Sequence, residues 1–161
     1  MTVITWDLTK TISDDELRTT FKKNIDPSED ILKVWVYKEP LGEGQFTNVV
    51  LFHAYTVLKT NQWYWSFEKN REGLTVQRAK NFEAVAKRYR QKERTSMDSF
   101  GLQLIKEDKG EKTMNQLVDY LYDENELNQT YNWVSSNCKN FASKIFNFVA
   151  RSERWNHIGI F

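Results

Sequence analysis

Residues 137–149, with the sequence NCKNFASKIFNFV, contain the clearest helical pattern in the chain. From Cys138 onward, apolar side chains recur every three or four residues, which predicts an amphipathic helix that begins at this cysteine. Asn137 lies directly before it and is a favoured N-cap residue. The sequence therefore places its single cysteine at the N-terminal end of its best-defined helix.

A cysteine in this position has the electrostatic setting of a nucleophile. The N-terminal end of a helix carries partial positive charge and unpaired N–H groups, and such a setting lowers a thiol pKa from its usual value of about 8.5. The backbone N–H of Cys138 and the side-chain amide of Asn137 are the natural donors to an oxyanion, and Asn132 is a second candidate. A lone cysteine is more often a small buried apolar residue, so the position alone does not define an enzyme.

The chain offers two histidines as a general base. His53 lies in VVLFHAY, residues 49–55, a pattern that predicts a strand. His157 lies close to the C-terminal end, where chains are usually less ordered. We prefer His53, because a strand can hold an imidazole rigidly against a helix end. A lone histidine in a strand is more often structural, and this alternative stays open here.

A carboxylate on the neighbouring strand would orient the imidazole and stabilise its charged form. Residues 47–58 and 63–69 predict two strands of a hairpin. A turn centred on Thr60 and Asn61 places Glu68 directly opposite His53, on the same sheet face. A slip of one residue would separate the two side chains, so the assignment of Glu68 depends on that turn.

The remaining patterns predict one α+β domain over residues 1–161, with a small antiparallel sheet packed against helices. Further strands are predicted at 31–37, 74–78, 102–105 and 155–161, a loop at 38–45, and helices after the capping box at 13–16, at 80–94 and after Thr113. The basic segment 77–94 is interpreted as a solvated helix face. The alternative is a docking patch for an acidic protein surface or for nucleic acid, and the sparse aromatic residues there argue against nucleic acid.

The composition argues against several classes of function. A net charge of +1 calls for no polyanionic partner, and no nucleic acid is expected. No run approaches the ~18 apolar residues of a membrane span, and the first residues do not resemble a signal peptide. One cysteine permits no intrachain disulfide and favours a reducing compartment, so a cytoplasmic location is expected. No metal or cofactor is expected, because zinc-ligand spacing and a glycine-rich phosphate loop are both missing.

Two stretches resemble a known family. YNWVSSNCKNFA, residues 131–142, resembles the Asn-Cys-x-x-Phe segment of the PPPDE peptidases and of the lecithin:retinol acyltransferase-like (LRAT-like) proteins. FHAY at 52–55, WSFE at 65–68 and EGL at 72–74 are similar to the PPPDE histidine hairpin. Both groups are circularly permuted relatives of papain and the NlpC/P60 hydrolases, in which the histidine strand precedes the cysteine helix, as it does here. Residues 46–161 would form this permuted papain-like core, and residues 1–45 match nothing in it.

The resemblance implies a cysteine hydrolase that cleaves an amide, isopeptide or thioester bond. Cys138 would be the nucleophile, His53 the base, and Asn137 would shape the oxyanion site. A protein or peptide substrate is expected, such as a ubiquitin-like conjugate. From their positions, Trp65 and Asn132 are candidate substrate-binding residues, and core packing is the alternative role for the tryptophan. Alternatives are an acyltransferase or lipid hydrolase on the same scaffold and a catalytically inactive protein-binding module. Trp65 stands where LRAT-like proteins usually carry a second histidine, which argues against that branch.

Overall fold

An antiparallel sheet of six strands organises the part of the chain that the computed structural model describes, which is residues 4–7, 18–19, 22–40, 52–70, 73–89, 92–94, 103–124 and 137–156. The strands are β1 (Ile4–Asp7), β2 (Ile31–Pro40), β3 (Phe52–Thr60), β4 (Tyr64–Asn70), β5 (Gly73–Ala79), β6 (Arg88–Tyr89), β7 (Lys92–Glu93) and β8 (Gln103–Lys109). The sheet order is β1-β5-β4-β3-β2-β8, and β6 and β7 form a separate short hairpin. The N-terminal 45 residues thus supply β2, an interior strand, as well as β1 at one edge.

Three helices lie in the described ranges: α1 (Phe82–Ala86), α2 (Met114–Asp123) and α3 (Cys138–Val149). Residues 18–19 and 22–24 are also helical. The longest helix, α3, packs across β2, β3 and β4. None of the helices in this part of the chain is long and apolar enough to cross a membrane. The predicted α+β class with an antiparallel sheet is confirmed.

The central strands are buried on both sides because each sheet face has its own cover. Along β3, Ala54 and Leu58 point into the main core with α2 and α3, whereas Tyr55 and Val57 point to the opposite face. That second face is covered by α1 through residues such as Val85. Successive side chains of a strand alternate between faces, so His53 lies on the same face as Tyr55.

The helix ends follow the predicted capping signals. Asn137 caps α3, its side-chain oxygen accepting from the N–H groups of Lys139 and Asn140 at 3.0 and 2.9 Å. Thr113 and Gln116 form a capping box at the start of α2. These local contacts satisfy N–H groups that a helix leaves unpaired at its first turn. The predictions of α3, its N-cap and the α2 start are confirmed.

The predicted helix over residues 80–94 is wrong. Among the described residues of this segment, only Phe82–Ala86 is helical, and β6 and β7 pair antiparallel after it. Beside this strand pair, the Arg94 N–H donates to the Lys87 carbonyl at 2.9 Å. Arg94 is buried, so the expected solvated basic face does not extend to this residue.

Two smaller predictions also change. Residues 38–40 of the predicted loop belong to β2, which continues through Pro40, and the rest of that loop lies outside the described residues. Trp155 and Asn156 are not in a strand, and the rest of the predicted strand 155–161 lies outside the described residues. The capping box at 13–16 lies outside them as well.

Gly110, directly after β8, lies very close to Ile31 at the start of β2. A Cβ atom on Gly110 would stand 2.5 Å from the Ile31 carbonyl oxygen and 2.7 Å from its Cγ2 atom. Gly110→Ala should therefore force the two segments apart and lower the free energy of unfolding by about 1–3 kcal/mol in urea denaturation. The neighbouring Lys109 is exposed, and Lys109→Ala is the matched control. Equal midpoints for the two variants would contradict the packing described.

Candidate active site

The candidate site lies where one end of the sheet meets the N-terminal end of α3. His53 comes from the start of β3, Glu68 from the far end of β4, and Cys138 from the first residue of α3. Glu39, near the end of β2, is the register partner of His53. Elements distant in sequence thus bring a thiol, an imidazole and two carboxylates together.

The imidazole of His53 is held on two sides. Its Nε2 atom lies 2.7 Å from Glu68 Oε2, and the Cys138 side chain lies close enough to help raise the pKa of the ring. With Nε2 taken by the carboxylate, Nδ1 is the ring nitrogen left for the sulfur. The structure thus brings His53 to Glu68 and places Cys138 near the same ring, and the catalytic roles of the three residues stay a prediction.

The surroundings of the sulfur are polar, although Cys138 is only 4% exposed. The backbone N–H of Ala54 and the Lys139 ammonium lie near enough to stabilise its negative charge. His53 is 12% exposed. The thiol is therefore screened from bulk water but is not enclosed by apolar side chains alone.

The hairpin that brings Glu68 to His53 has a different register from the one predicted. Opposite pairs are Val57 with Ser66 and Leu58 with Trp65, so the predicted pairing of Ser66 with Tyr55 is wrong. Continuing this register places Glu68 opposite Tyr55, two residues along from His53. A shift of two preserves the sheet face, and diagonal neighbours remain within reach. The contact therefore survives the error in the predicted turn.

A buried arginine fixes the carboxylate of Glu68. The Arg94 guanidinium has no exposed side-chain surface and donates through Nη2 to Glu68 Oε1 at 2.7 Å and through Nη1 to Glu68 Oε2 at 3.1 Å. The same Nη1 atom lies 3.0 Å from Glu39 Oε1. The guanidinium carbon also stands 3.6 Å from the centre of the Tyr55 ring. These contacts leave Glu68 one orientation, with Oε2 directed at His53.

The pKa shifts of the site favour an ion pair. Burial opposes the charged form of His53, but its hydrogen bonds to Cys138 and Glu68 and the negative charges of both outweigh this and raise its pKa to about 10. Burial likewise opposes ionisation of Glu68, and the charge of Arg94 overcomes it and lowers the pKa to about 2. Burial raises the Cys138 pKa, yet the imidazole brings it below the ordinary value. The shifts of His53 and Cys138 both favour the charged forms, an imidazolium beside a thiolate.

Glu39, His53 and Glu68 also form a set of metal-ligand types, with one donor atom from each within 4.8 Å of the others. Arg94 already stands between the two carboxylates as their cation. Burial raises the Glu39 pKa, and the nearby Arg94 charge only partly offsets this. The two carboxylates therefore already have Arg94 as their cation, an arrangement called here the arginine clamp (Arg94 with Glu39 and Glu68), and they suit it better than a divalent metal ion.

The other predicted site residues are placed as follows. The Asn137 side-chain oxygen is used as the α3 cap, so any donation to an oxyanion would come from its amide nitrogen. Trp65 has no exposed surface, and its Nε1 donates to Glu29 at 2.7 Å inside the core. We therefore do not retain Trp65 as a substrate-binding residue. Asn132 lies outside the described residues.

Three residues of the site were not predicted from the sequence: Arg94, Glu39 and Lys139. Because Arg94 was assigned to a helix, its contact with the carboxylates of the sheet was not expected. The pairing of Glu39 with His53 depends on a β2–β3 register that the sequence alone does not define. Lys139 could have been predicted from the sequence, because it directly follows the cysteine at the start of the helix.

The comparisons with known proteins add no relative. This chain matches no family model, no curated protein and no solved structure. The site is therefore interpreted from its own geometry.

Removing the arginine should leave two carboxylates without their cation. Breaking a buried ion pair on one side costs about 3–5 kcal/mol, and we expect Arg94→Met to lower the free energy of unfolding by that amount in urea denaturation. Arg88 is exposed in the same hairpin, and Arg88→Met should change it by less than about 0.5 kcal/mol. Similar losses in both variants would contradict the clamp.

Proposed function

We propose that this protein is a cysteine hydrolase that cleaves an amide, isopeptide or thioester bond. The observation that carries the proposal is the imidazole of His53, held at 2.7 Å by the buried Glu68 carboxylate and lying beside Cys138 at the first residue of α3. A nucleophile, a base and an orienting group in contact form the general pattern of covalent acyl transfer.

The chemistry uses these three groups in turn. The Cys138 thiolate attacks the substrate carbonyl carbon and forms a carbon–sulfur bond, and the carbonyl oxygen becomes an oxyanion. The imidazolium of His53 gives its proton to the leaving nitrogen or sulfur as that bond breaks, which leaves an acyl-enzyme thioester. His53 then takes a proton from water, the hydroxide attacks the thioester, and a carboxylic acid leaves as the thiolate forms again. Glu68 stabilises the charged imidazole throughout.

The oxyanion would be stabilised at the start of α3. The Asn137 cap takes the N–H groups of Lys139 and Asn140 and does not take the N–H of Cys138 itself. That group lies at the positive end of a 12-residue helix, beside the attacking sulfur. The Cys138 N–H is thus the main oxyanion donor in this proposal, with the Asn137 amide nitrogen as the second.

The chain order and local motifs support a papain-like assignment. The histidine strand precedes the cysteine helix, as in the permuted relatives that residues 131–142 resemble, and the helix packs on the histidine strand. By this resemblance the protein is a PPPDE-like thiol peptidase, and its substrate is a protein or peptide, such as a ubiquitin-like conjugate. A cytoplasmic location belongs to the same proposal.

The ion pair should make Cys138 reactive at mildly acidic pH. We expect iodoacetamide, a small neutral reagent, to alkylate the wild type at about pH 6 at least about tenfold faster than it alkylates His53→Ala, because an ordinary thiol with a pKa of about 8.5 is almost fully protonated there. The rate is measured by intact-mass spectrometry across a pH series.

His157→Ala is the matched control, since it removes the only other histidine, and it should keep the wild-type profile. If wild type and His53→Ala both follow the profile of an ordinary thiol, the hydrolase proposal is wrong and a binding module remains.

An acyl-enzyme should form on the thiol. Phenyl thioacetate should add one acetyl group to the wild type, which then returns to its free mass as acetate is released, whereas Cys138→Ser should not be acylated in the same time. Release to an added amine in preference to water would indicate an acyltransferase. If Cys138 is acetylated no faster than free cysteine, the enzyme assignment is wrong.

A further inference from the structure

Glu39 is a second carboxylate at the candidate site, and the proposed cycle gives it no part. It is the register partner of His53 on β2, and its Oε1 atom lies 3.0 Å from Arg94 Nη1. One carboxylate oxygen of Glu39, one of Glu68 and one ring nitrogen of His53 lie within 4.8 Å of one another. Glu39 therefore lies close to the imidazole, while Glu68 makes the 2.7 Å contact with it.

The arginine does not need this second carboxylate to balance its own charge. Glu68 already accepts two hydrogen bonds from the guanidinium of Arg94, at 2.7 and 3.1 Å. A further negative charge in a buried place is costly unless another cation compensates it. The Glu39 side chain has only 15% of its surface exposed, so water screens its charge weakly.

The imidazolium of His53 is the cation that completes the set. Both carboxylates respond to the same two positive charges, those of Arg94 and His53. Two carboxylates, one guanidinium and one imidazolium sum to zero, whereas loss of the ring proton leaves one net negative charge beside the ring. An ionised Glu39 therefore makes His53 hold its proton more tightly, and the charged ring favours the ionised Glu39 in return.

The other titratable groups around the ring come from β3 and α3. Burial raises the pKa of Tyr55, so its phenol stays neutral. At the start of α3, the Cys138 sulfur is negative as a thiolate, and the Lys139 ammonium lies near it. Acylation makes the sulfur neutral. Among the described residues, the two carboxylates are then the negative charges that support the imidazolium of His53, and the Lys139 charge opposes them.

We infer that Glu39 is a positioning residue whose charge makes His53 a stronger base and sets the pH range in which the acyl-enzyme is hydrolysed. The inference rests on the proposed hydrolase and concerns the step in which His53 takes a proton from water. That step requires a neutral ring, so its rate falls as the pH drops below the pKa of His53. Without the Glu39 charge, the ring stays neutral to lower pH and hydrolysis extends further into the acid range.

An NMR titration of the His53 ring nitrogens measures the coupling without a substrate. Cys138→Ala is the reference, because it removes the thiol charge as acylation does. We expect Cys138→Ala/Glu39→Gln to lower the His53 pKa by at least about one unit, since a unit charge about 5 Å away is worth that much at the effective dielectric constant of proteins. The glutamine keeps an oxygen that can accept from Arg94.

Glu107 supplies the matched control for the loss of one negative charge. It lies on β8 with 46% of its side chain exposed, and Cys138→Ala/Glu107→Gln should keep the His53 pKa of the reference.

A reciprocal measurement leaves Glu39 in place and decides the question even if Glu39→Gln does not fold. In Cys138→Ala/His53→Gln, the pKa of the Glu39 carboxyl should rise by at least about one unit over the reference, because coupling between two titrating groups acts equally on both. It is followed by NMR at the side-chain carboxyl carbon. If the His53 pKa and the Glu39 pKa both stay at their reference values, the inference is wrong.

The pH profile of the acetyl-enzyme separates this role from a structural one. Cys138 is acetylated with phenyl thioacetate, excess reagent is removed, and loss of the acetyl group is followed by intact-mass spectrometry across a pH series. In Glu39→Gln the acid limb should move to lower pH by at least about one unit, so that hydrolysis well below the wild-type limb is at least about tenfold faster. Glu107→Gln should keep the wild-type profile.

The inference and the proposed hydrolase fail in different ways. If the acetyl-enzyme is hydrolysed with the same acid limb in wild type and in Glu39→Gln, only slower at every pH, Glu39 has a structural role alone and the hydrolase stands. If Cys138 is not acetylated at all, the hydrolase is wrong, and the inference fails with it.

Discussion

The salt bridge between Arg94 and Glu68 is the constraint on which the candidate site depends. Arg94 binds both oxygens of the carboxylate, and neither side chain has more than 2% of its surface exposed. The arginine therefore keeps Glu68 ionised and in one orientation, and the ionised Glu68 holds the ring of His53 through a 2.7 Å contact. The ring in turn lowers the pKa of Cys138. Arg94 thus orients Glu68, Glu68 orients His53, and the charge of His53 favours the thiolate of Cys138.

The fold supplies this chain of contacts from both faces of one sheet. Tyr55 and Val57 belong to the face covered by α1, whereas Phe141 and Ile145 of α3 pack on the other. The first residue of α3 nevertheless reaches His53, because it lies at the end of the sheet where β3 begins, close to the Ala54 N–H. The start of β3 thus contacts the N-terminal end of α3 on one sheet face and the Arg94–Glu68 pair on the other. This arrangement explains why a buried charge network is retained in a small domain, where it contributes orientation more than net stability.

The local parts of this site could be predicted from the sequence, and the long-range parts could not. The amphipathic pattern after Cys138 and the cap at Asn137 are local signals, and both are confirmed. Glu68 was found through an incorrect turn, and the contact remained because a two-residue shift keeps the side-chain face. Arg94 was missed because a run of basic and apolar residues fits a helix as well as a hairpin, and only the buried carboxylates decide between them. The substrate-binding interpretation of Trp65 did not account for its indole N–H, which the core uses for Glu29.

The charge state of His53 near neutral pH is the most direct test of the whole account. An NMR titration of the imidazole nitrogens in the folded protein would measure it without any substrate. The account predicts a ring that stays doubly protonated well above its ordinary pKa of about 6.5, approaching the value of about 10 that its two partners produce, and a pKa that falls in Cys138→Ala. A ring that titrates near its ordinary value in both proteins would show that thiol and imidazole form no ion pair, and the central claim would be contradicted.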